Sequence, residues 1–518
     1  QAYAAAFNRN FFPNGSDSLI EPNGGTFIPG SRREDLVTAY NQLPESSNED
    51  RGLSVEVNWD LDSYTFTSIT SWRAFDSYDE IDADFTNLDA LVVSNDSDQS
   101  AFTQEFQIAG SFDKTEYVVG AYYYQQELDN VQTLETGNHT YLFGATEIDL
   151  NPAFASPALF PPDGSATTET SQDHLAYALF GQMDYALQES LTLTLGLRYT
   201  YEDKEMDAEY SNINVGLGFY EFPPLAPRSN QSVDFDDENV SGTIKLSWNA
   251  SDDSLYYASI STGYKSGGTN TDRIPETSDS SFDAETSKSY EIGAKYDFPE
   301  QALRLNLAAY YTEFDDFQVG TFDGTSFNLQ NAATVETSGI EAELLWQATE
   351  NLQLTAAYTH STTEFKEFDE GNCWKASPFR GVADPGGDGS FRTDQESCDR
   401  GGDDLDSSPD DYFVGSARQD FRLTDSISAY LYGEYIYVGK QYMENSNDPY
   451  EEQSAYELIN LRAGMMFEQY DAELILWGRN VTDEFYYGTN FDPPIQYGKL
   501  NTYAREPATY GITARKSF

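Results

Sequence analysis

The chain has 518 residues, with 88 Asp and Glu against 29 Lys and Arg, a formal net charge of −59 and 39% hydrophobic residues. So acidic a surface excludes nucleic acid as a partner, because phosphate backbones demand a basic footprint. No run of about 18 apolar residues is present, so the chain offers no transmembrane helix, yet its aromatic content is 15%.

Residues 1–49 are polar and read as a loop segment. From about Arg51 onward one unit repeats: an alternating polar–apolar strand, a short polar turn, and a second alternating strand. Tight turns are expected at 60–63, 112–114, 188–190, 250–253, 298–300, 348–350, 424–426 and 468–470, where small polar residues interrupt the alternation. Between the hairpins lie linkers rich in Gly, Ser, Asn, Asp and Pro, roughly at 77–99, 128–172, 205–233, 267–284, 318–333, 367–410, 441–454 and 485–505.

The stretch after the third turn shows the pattern most plainly. Leu191, Leu193, Leu195, Leu197, Tyr199 and Tyr201 share one face, while Thr192, Thr194, Gly196, Arg198, Thr200 and Glu202 share the other. A strand with one greasy and one polar face, repeated along a chain, satisfies both faces as a barrel with lipid outside and water or protein inside. The fold class read here is therefore all-β, a transmembrane antiparallel β-barrel of the bacterial outer membrane. Lipid and lipopolysaccharide would be its surroundings. Short turns would face the periplasm and long loops the exterior. Trp59, Trp248 and Trp346 each precede a tight turn, as an inner interfacial girdle requires.

Inward-facing polar candidates are Glu56, Asn58, Arg198, Arg304, Asn306, Gln353 and Thr355. They would set selectivity in an open pore or hold a plug in a closed one. Gly263-Tyr264-Lys265-Ser266-Gly267-Gly268 lacks phosphate-loop spacing and is read as a strand leaving the membrane. Cys373 and Cys398, the two cysteines, fall in one polar loop; a disulfide fits an oxidising compartment, with a zinc pair as the rival. His139, His174 and His360 are scattered. The same loop carries Asp384, Asp388, Asp399, Asp403 and Asp404 among glycines, which makes calcium a candidate ligand without an EF-hand pattern. No other cofactor, and no catalytic constellation, is indicated. The last strand puts Tyr510, Ile512 and Ala514 on one face and ends at Phe518, in the manner of a barrel-assembly signal.

About 17 strands are expected, an odd number, whereas bacterial single-chain barrels carry even numbers. The first strand would descend from outside, making 1–49 an extracellular loop segment and 50–518 the barrel portion. An odd number of strands is then expected before Gln1.

Several segments resemble the TonB-dependent receptors of the outer membrane. They include Ala178–Tyr185 with the strand that follows, Leu255–Gly268, Ser289–Lys295, Leu303–Tyr311, Thr337–Glu343, Gly478–Glu484 and Thr509–Phe518. The resemblance covers nearly all of 50–518. It implies a 22-stranded barrel whose plug and first strands lie outside this sequence. It also implies active uptake of a scarce bulky nutrient, a ferric siderophore, cobalamin or oligosaccharide, energised by the TonB complex through the N-terminal part. Tyr141, Phe143, Phe219, Tyr220, Trp374, Tyr486 and Tyr487, all in expected loops, would then be candidates for stacking on a small-molecule ligand. The alternatives are a passive porin-like channel and a surface interaction barrel within a larger assembly.

Overall fold

The computed structural model describes residues 40–84, 87–142, 161–214, 230–270, 280–322, 327–331, 334–369, 371, 373, 398–449, 451–491 and 501–517. Seventeen strands form one antiparallel sheet. In chain order they are β1 (Glu45–Leu61), β2 (Tyr64–Asp82), β3 (Leu91–Phe112), β4 (Thr115–Thr136), β5 (Ser165–Gln188), β6 (Leu191–Ile213), β7 (Gln231–Ser251), β8 (Ser254–Lys265) and β9 (Glu285–Phe298). Then follow β10 (Leu303–Asp315), β11 (Thr334–Thr349), β12 (Leu352–Glu367), β13 (Asp411–Arg422), β14 (Ile427–Val438), β15 (Tyr456–Phe467), β16 (Ala472–Arg479) and β17 (Thr509–Lys516). Each pairs only with its neighbours in sequence, and small two-stranded hairpins decorate the loops.

All eight expected tight turns join consecutive strands. Asp62 and Asp113 take the left-handed conformation there (φ 43° and 50°), as does Asp471 at the last turn (φ 46°). Aspartate tolerates that region because its short side chain can bond its own backbone. Strand β1 begins at Glu45, ahead of the expected start near residue 50.

Among the described residues no pairing joins β1 to β17, so the seventeen strands form an open sheet. One expectation is corrected: the strands overrun the linkers expected at 77–99, 128–172 and 205–233. Strands β3, β4, β5 and β6 have 22, 22, 24 and 23 residues, about twice the 9–11 that span a membrane. Hydropathy alternation marks a strand only where its two faces meet different media. Beyond the lipid the belt face turns acidic and the opposite face mixes amides with buried apolar residues such as Leu134 and Met206, while the backbone ladder continues, as between Asp98 and Asp129.

One face of the sheet is apolar through all seventeen strands. On β6, Leu197 is 63% exposed and Tyr199 40%, while Thr194 and Thr200 on the opposite face are buried. The row Leu191 to Tyr201 spans about 34 Å of strand, or roughly 25 Å of height at barrel tilt, which matches an outer-membrane hydrocarbon band. Aromatic rings close both ends. Trp248 stacks on Tyr256 near the tight turns, with centroids 5.5 Å apart, and Tyr177 stacks on Tyr201 at the far end, 5.6 Å apart. Trp59, Trp248 and Trp346 all sit at the tight-turn end.

Candidate functional site

The face opposite the apolar belt holds all seven residues expected to point inward. The register explains why: directly opposed residues share a face, so one correct strand fixes its neighbours. Most of their polar groups are paired, although Asn306 Oδ1 is buried without a partner. The Asn58 amide donates to Glu56 Oε1 at 2.6 Å and Thr67 Oγ1 donates to Asn58 Oδ1 at 2.7 Å. Arg198 Nε donates to Thr200 Oγ1 at 3.1 Å, its guanidinium 5.7 Å from the centre of the Tyr122 ring and 5.6 Å from that of Phe180. Arg304 meets Asp297 at 2.6 Å, the Asn306 amide donates to Glu343 at 3.1 Å, and Thr355 bonds Ser416 at 2.6 Å. Sequence reasoning missed the partners that tyrosine supplies on this face. The Arg418 guanidinium lies 4.0 Å from the Tyr430 ring centre, and the Arg462 guanidinium 5.3 Å from that of Tyr432.

At the far end of β10–β14 the loops carry a core of their own. Val319, Val335, Phe365 and Phe368 are buried together, with Phe314, Phe317 and Leu405 packed around them. Phe365 and Phe368 ring centroids lie 4.9 Å apart. Backbone bonds knit the segment: Gly402 N–H donates to Phe365 O, Arg400 N–H to Phe368 O, and Cys398 and Gly371 exchange a pair. Cys373 and Cys398 are joined by a disulfide with Cα atoms 5.2 Å apart. Ser407 N–H donates to Tyr442 O, the Asn447 amide to Asp404 O and the Asn445 amide to Gly320 O. Three loops that are distant in sequence thereby become one platform. Lys366 binds Glu313 at 3.2 Å and also Glu336; those two carboxylates raise its ammonium well above the usual lysine range. Burial, then the charge of Glu444, pushes the Asp406 carboxyl up to about 6.

Three of the aromatic residues singled out for ligand stacking, Tyr141, Tyr486 and Tyr487, are among the described residues. Tyr486 stacks on Tyr456 with centroids 4.6 Å apart, and Tyr487 is buried, its ring edge-on to Phe485 and its N–H donating to Gln453 Oε1 at 2.8 Å. Both pack the base of the β16–β17 loop. Tyr141 lies in a short turn over β4, 6.5 Å from the ring of His139. Phe143, Phe219, Tyr220 and Trp374 lie outside the described residues, as do Asp384, Asp388 and Phe518. Of the remaining calcium candidates, Asp399 Oδ1 accepts from Gly401 N–H, and Asp403 meets Arg400 at 3.4 Å. Among the described residues no group of three or more His, Cys, Asp or Glu has metal-ligating geometry. Tyr510, Ile512 and Ala514 lie on the apolar face of β17, the first two 67% and 71% exposed.

A model of the TonB-dependent receptor-like β-barrel matches residues 2–481. This chain belongs to the TonB-dependent receptor family. Its relatives are outer-membrane transport receptors, not enzymes. Similar curated proteins include a pesticin receptor of Yersinia enterocolitica, 26% identical over 202 residues, which cover 39% of this chain and 27% of that protein. Another is a probable TonB-dependent siderophore receptor, PiuA, of Acinetobacter baumannii, 26% identical over 315 residues, covering 55% of this chain and 39% of that one. Among solved structures, the ferric yersiniabactin uptake receptor FyuA of Yersinia pestis superposes with a TM-score of 0.68 at 17% identity, over 92% of this chain and 62% of its own. The crystal structure of PiuA gives 0.66 at 17% identity, over 92% and 65%. At such identities the structures establish the fold alone. This TonB-dependent receptor chain spans less than two thirds of those relatives.

Proposed function

We propose that this chain forms part of an outer-membrane receptor that takes up a scarce, bulky nutrient with energy delivered through the TonB complex. One observation carries the reading: a seventeen-stranded sheet whose apolar belt suits hydrocarbon and whose other face carries polar groups, among them arginines that meet carboxylates, hydroxyls and aromatic rings. Neighbouring strands would complete a cylinder of the 22-stranded type, since an open edge in lipid leaves backbone groups unbonded at several kcal/mol each. A plug of the kind the longer relatives' family uses would seat on the inner face, where Arg198, Arg418 and Arg462 offer donors. The TonB complex would be reached through that plug. Outer-membrane lipid and lipopolysaccharide would meet the belt, with the long loops outward. A ferric siderophore is the favoured cargo, because similar proteins bear siderophore-receptor names. A copper transporter shares the fold, so fold alone does not choose the cargo.

Deleting the gene in its host and measuring energy-dependent uptake of labelled ferric chelates tests this. Uptake should fall on deletion, return with the full gene, and stop when a protonophore collapses the inner-membrane gradient. Protonophore-insensitive flux, with steady conductance in planar bilayers, would replace the reading with a passive channel. A stable protein partner on the loops, with no uptake phenotype, would replace it with a surface interaction barrel.

A further inference from the structure

Above the outer aromatic girdle, β3–β7 continue for about ten residues each, and there their two faces differ in charge. Asp96, Asp98, Glu127, Asp129, Glu169 and Asp173 stand on the face that bears the apolar belt lower down, and all six are exposed. The other face, over 91–99, 126–136, 166–172, 206–212 and 231–235, carries no charged residue. It carries amides and hydroxyls set among apolar side chains, of which Leu91, Leu134, Ala166, Met206 and Ala208 are buried. Gln99, Leu128 and Gln172 lie side by side across β3, β4 and β5, and Gln132 is opposed by Thr168.

Several of the amides are underused within the fold. Among the described residues the side chains of Gln99, Gln132 and Gln172 make no hydrogen bond. Gln126 Oε1 accepts from the Tyr124 hydroxyl, and Asn130 Oδ1 accepts from Ser97 Oγ at 2.6 Å, which leaves both amide NH2 groups as donors. Thr168 is fully buried and its Oγ1 has no partner. With no accessible surface that hydroxyl is sealed inside the wall, beyond a cargo's reach, so the part-exposed amides alone are offered to a ligand.

We propose that this inner wall of β3–β5 binds an uncharged, hydroxyl-rich portion of the cargo, through hydrogen bonds from Gln99, Gln126, Asn130, Gln132 and Gln172. Primary amides both donate and accept, so they match hydroxyl groups in either role. The acidic charge of this wall stands on the opposite side of the sheet, about a Debye length away at physiological salt. The nearest charges on the inner face itself, Glu202 and Lys204, lie beside His174 opposite Gln126 and are matched with each other at 3.4 Å, so the amide row above them neither repels an anion strongly nor recruits a cation. This inference rests on the uptake reading and narrows its substrate class.

The test uses the full-length receptor in lipid nanodiscs. Its neutral probes are a linear maltodextrin, a xylan oligosaccharide and a neutral ferric trihydroxamate; its charged ones are an anionic ferric tris-catecholate and a cationic ferric chelate. At least one neutral probe should bind, with affinity changing less than about twofold between 50 and 500 mM NaCl, as a contact without charge requires. Gln132→Leu combined with Gln172→Leu should weaken it about tenfold or more, while Asp98→Asn with Asp129→Asn on the outer face should leave it unchanged. Gln132→Asn, which keeps the amide, should recover part of the loss, and gel heat-modifiability should show every variant folded. Binding of charged probes alone, or neutral-probe binding indifferent to the glutamine changes, overturns the proposal. Energy-dependent uptake of a charged chelate would then leave the transport reading standing. Glutamine-dependent binding without energy-dependent uptake would sink the transport reading instead.

Discussion

The assignment of one sheet face to lipid makes a sharp prediction at Leu197. It lies inside the apolar row that runs from Leu191 to Tyr201, four residues below the Tyr177–Tyr201 stack, and its side chain is 63% exposed. Replacing it with arginine places a cation near the middle of the hydrocarbon, at a cost of about 2–4 kcal/mol, or roughly 30- to 1000-fold in the folding equilibrium. Glu205 is on the same face of the same strand, about 27 Å of contour farther out. At barrel tilt that is roughly 20 Å of height, beyond the hydrocarbon edge, so Glu205→Arg should cost about 0–1 kcal/mol. Equilibrium unfolding of the full-length receptor from lipid vesicles in urea, followed by tryptophan fluorescence, reads both. Equal destabilisation by the two substitutions, or none at Leu197, would refute the lipid assignment, because in water both positions are merely exposed.

Phe365→Ala should remove about 3–5 kcal/mol from the loop platform, given full burial against Val335 and Phe368. Hydrogen exchange should quicken at 398–407 while strand amides in the belt stay protected. Reducing Cys373–Cys398, whose sequence separation is 25, should loosen the same segment by about 3 kcal/mol on the chain-entropy account, seen as new proteolytic cuts with the sheet intact. Asp406 has a folded-state carboxyl raised from 3.8 to about 6, so the platform is favoured when that group is protonated. Its penalty sets in as pH rises past 3.8 and is complete above about 6, up to roughly 3 kcal/mol. Asp406→Asn should therefore stabilise the platform at pH 7.5 and flatten its pH dependence by hydrogen exchange; a variant as pH-sensitive as the parent would disprove the assignment.

Between the girdles the chain's own letters sufficed. Alternation at Leu191–Tyr201, the eight polar turns and the three tryptophans before them depend on neighbours one or two residues apart. The environment they report, hydrocarbon against polar interior, acts on each strand separately. That logic gave the strand count and the face of every inward candidate from Glu56 to Thr355. It lost its signal above the membrane, where Ser94–Asp98 and Asn130–Thr133 still pair but the lipid-type contrast gives way to acids on the former belt face. The alternation there is between carboxylates and amides, visible only once the register is known.

Tertiary structure alone decided the rest. The loop core joins Val319, Val335, Phe365 and Leu405, and the Asn445 bond to Gly320 bridges 125 residues. Such contacts are set by which strand ends the sheet brings side by side, and no local pattern encodes them. For the same reason the packing of Tyr486 on Tyr456 and of Tyr487 on Phe485 at a loop base is seen only in three dimensions. Local solvent contrast writes a membrane strand into sequence; long-range closure of loops writes nothing that a neighbour two residues away can read.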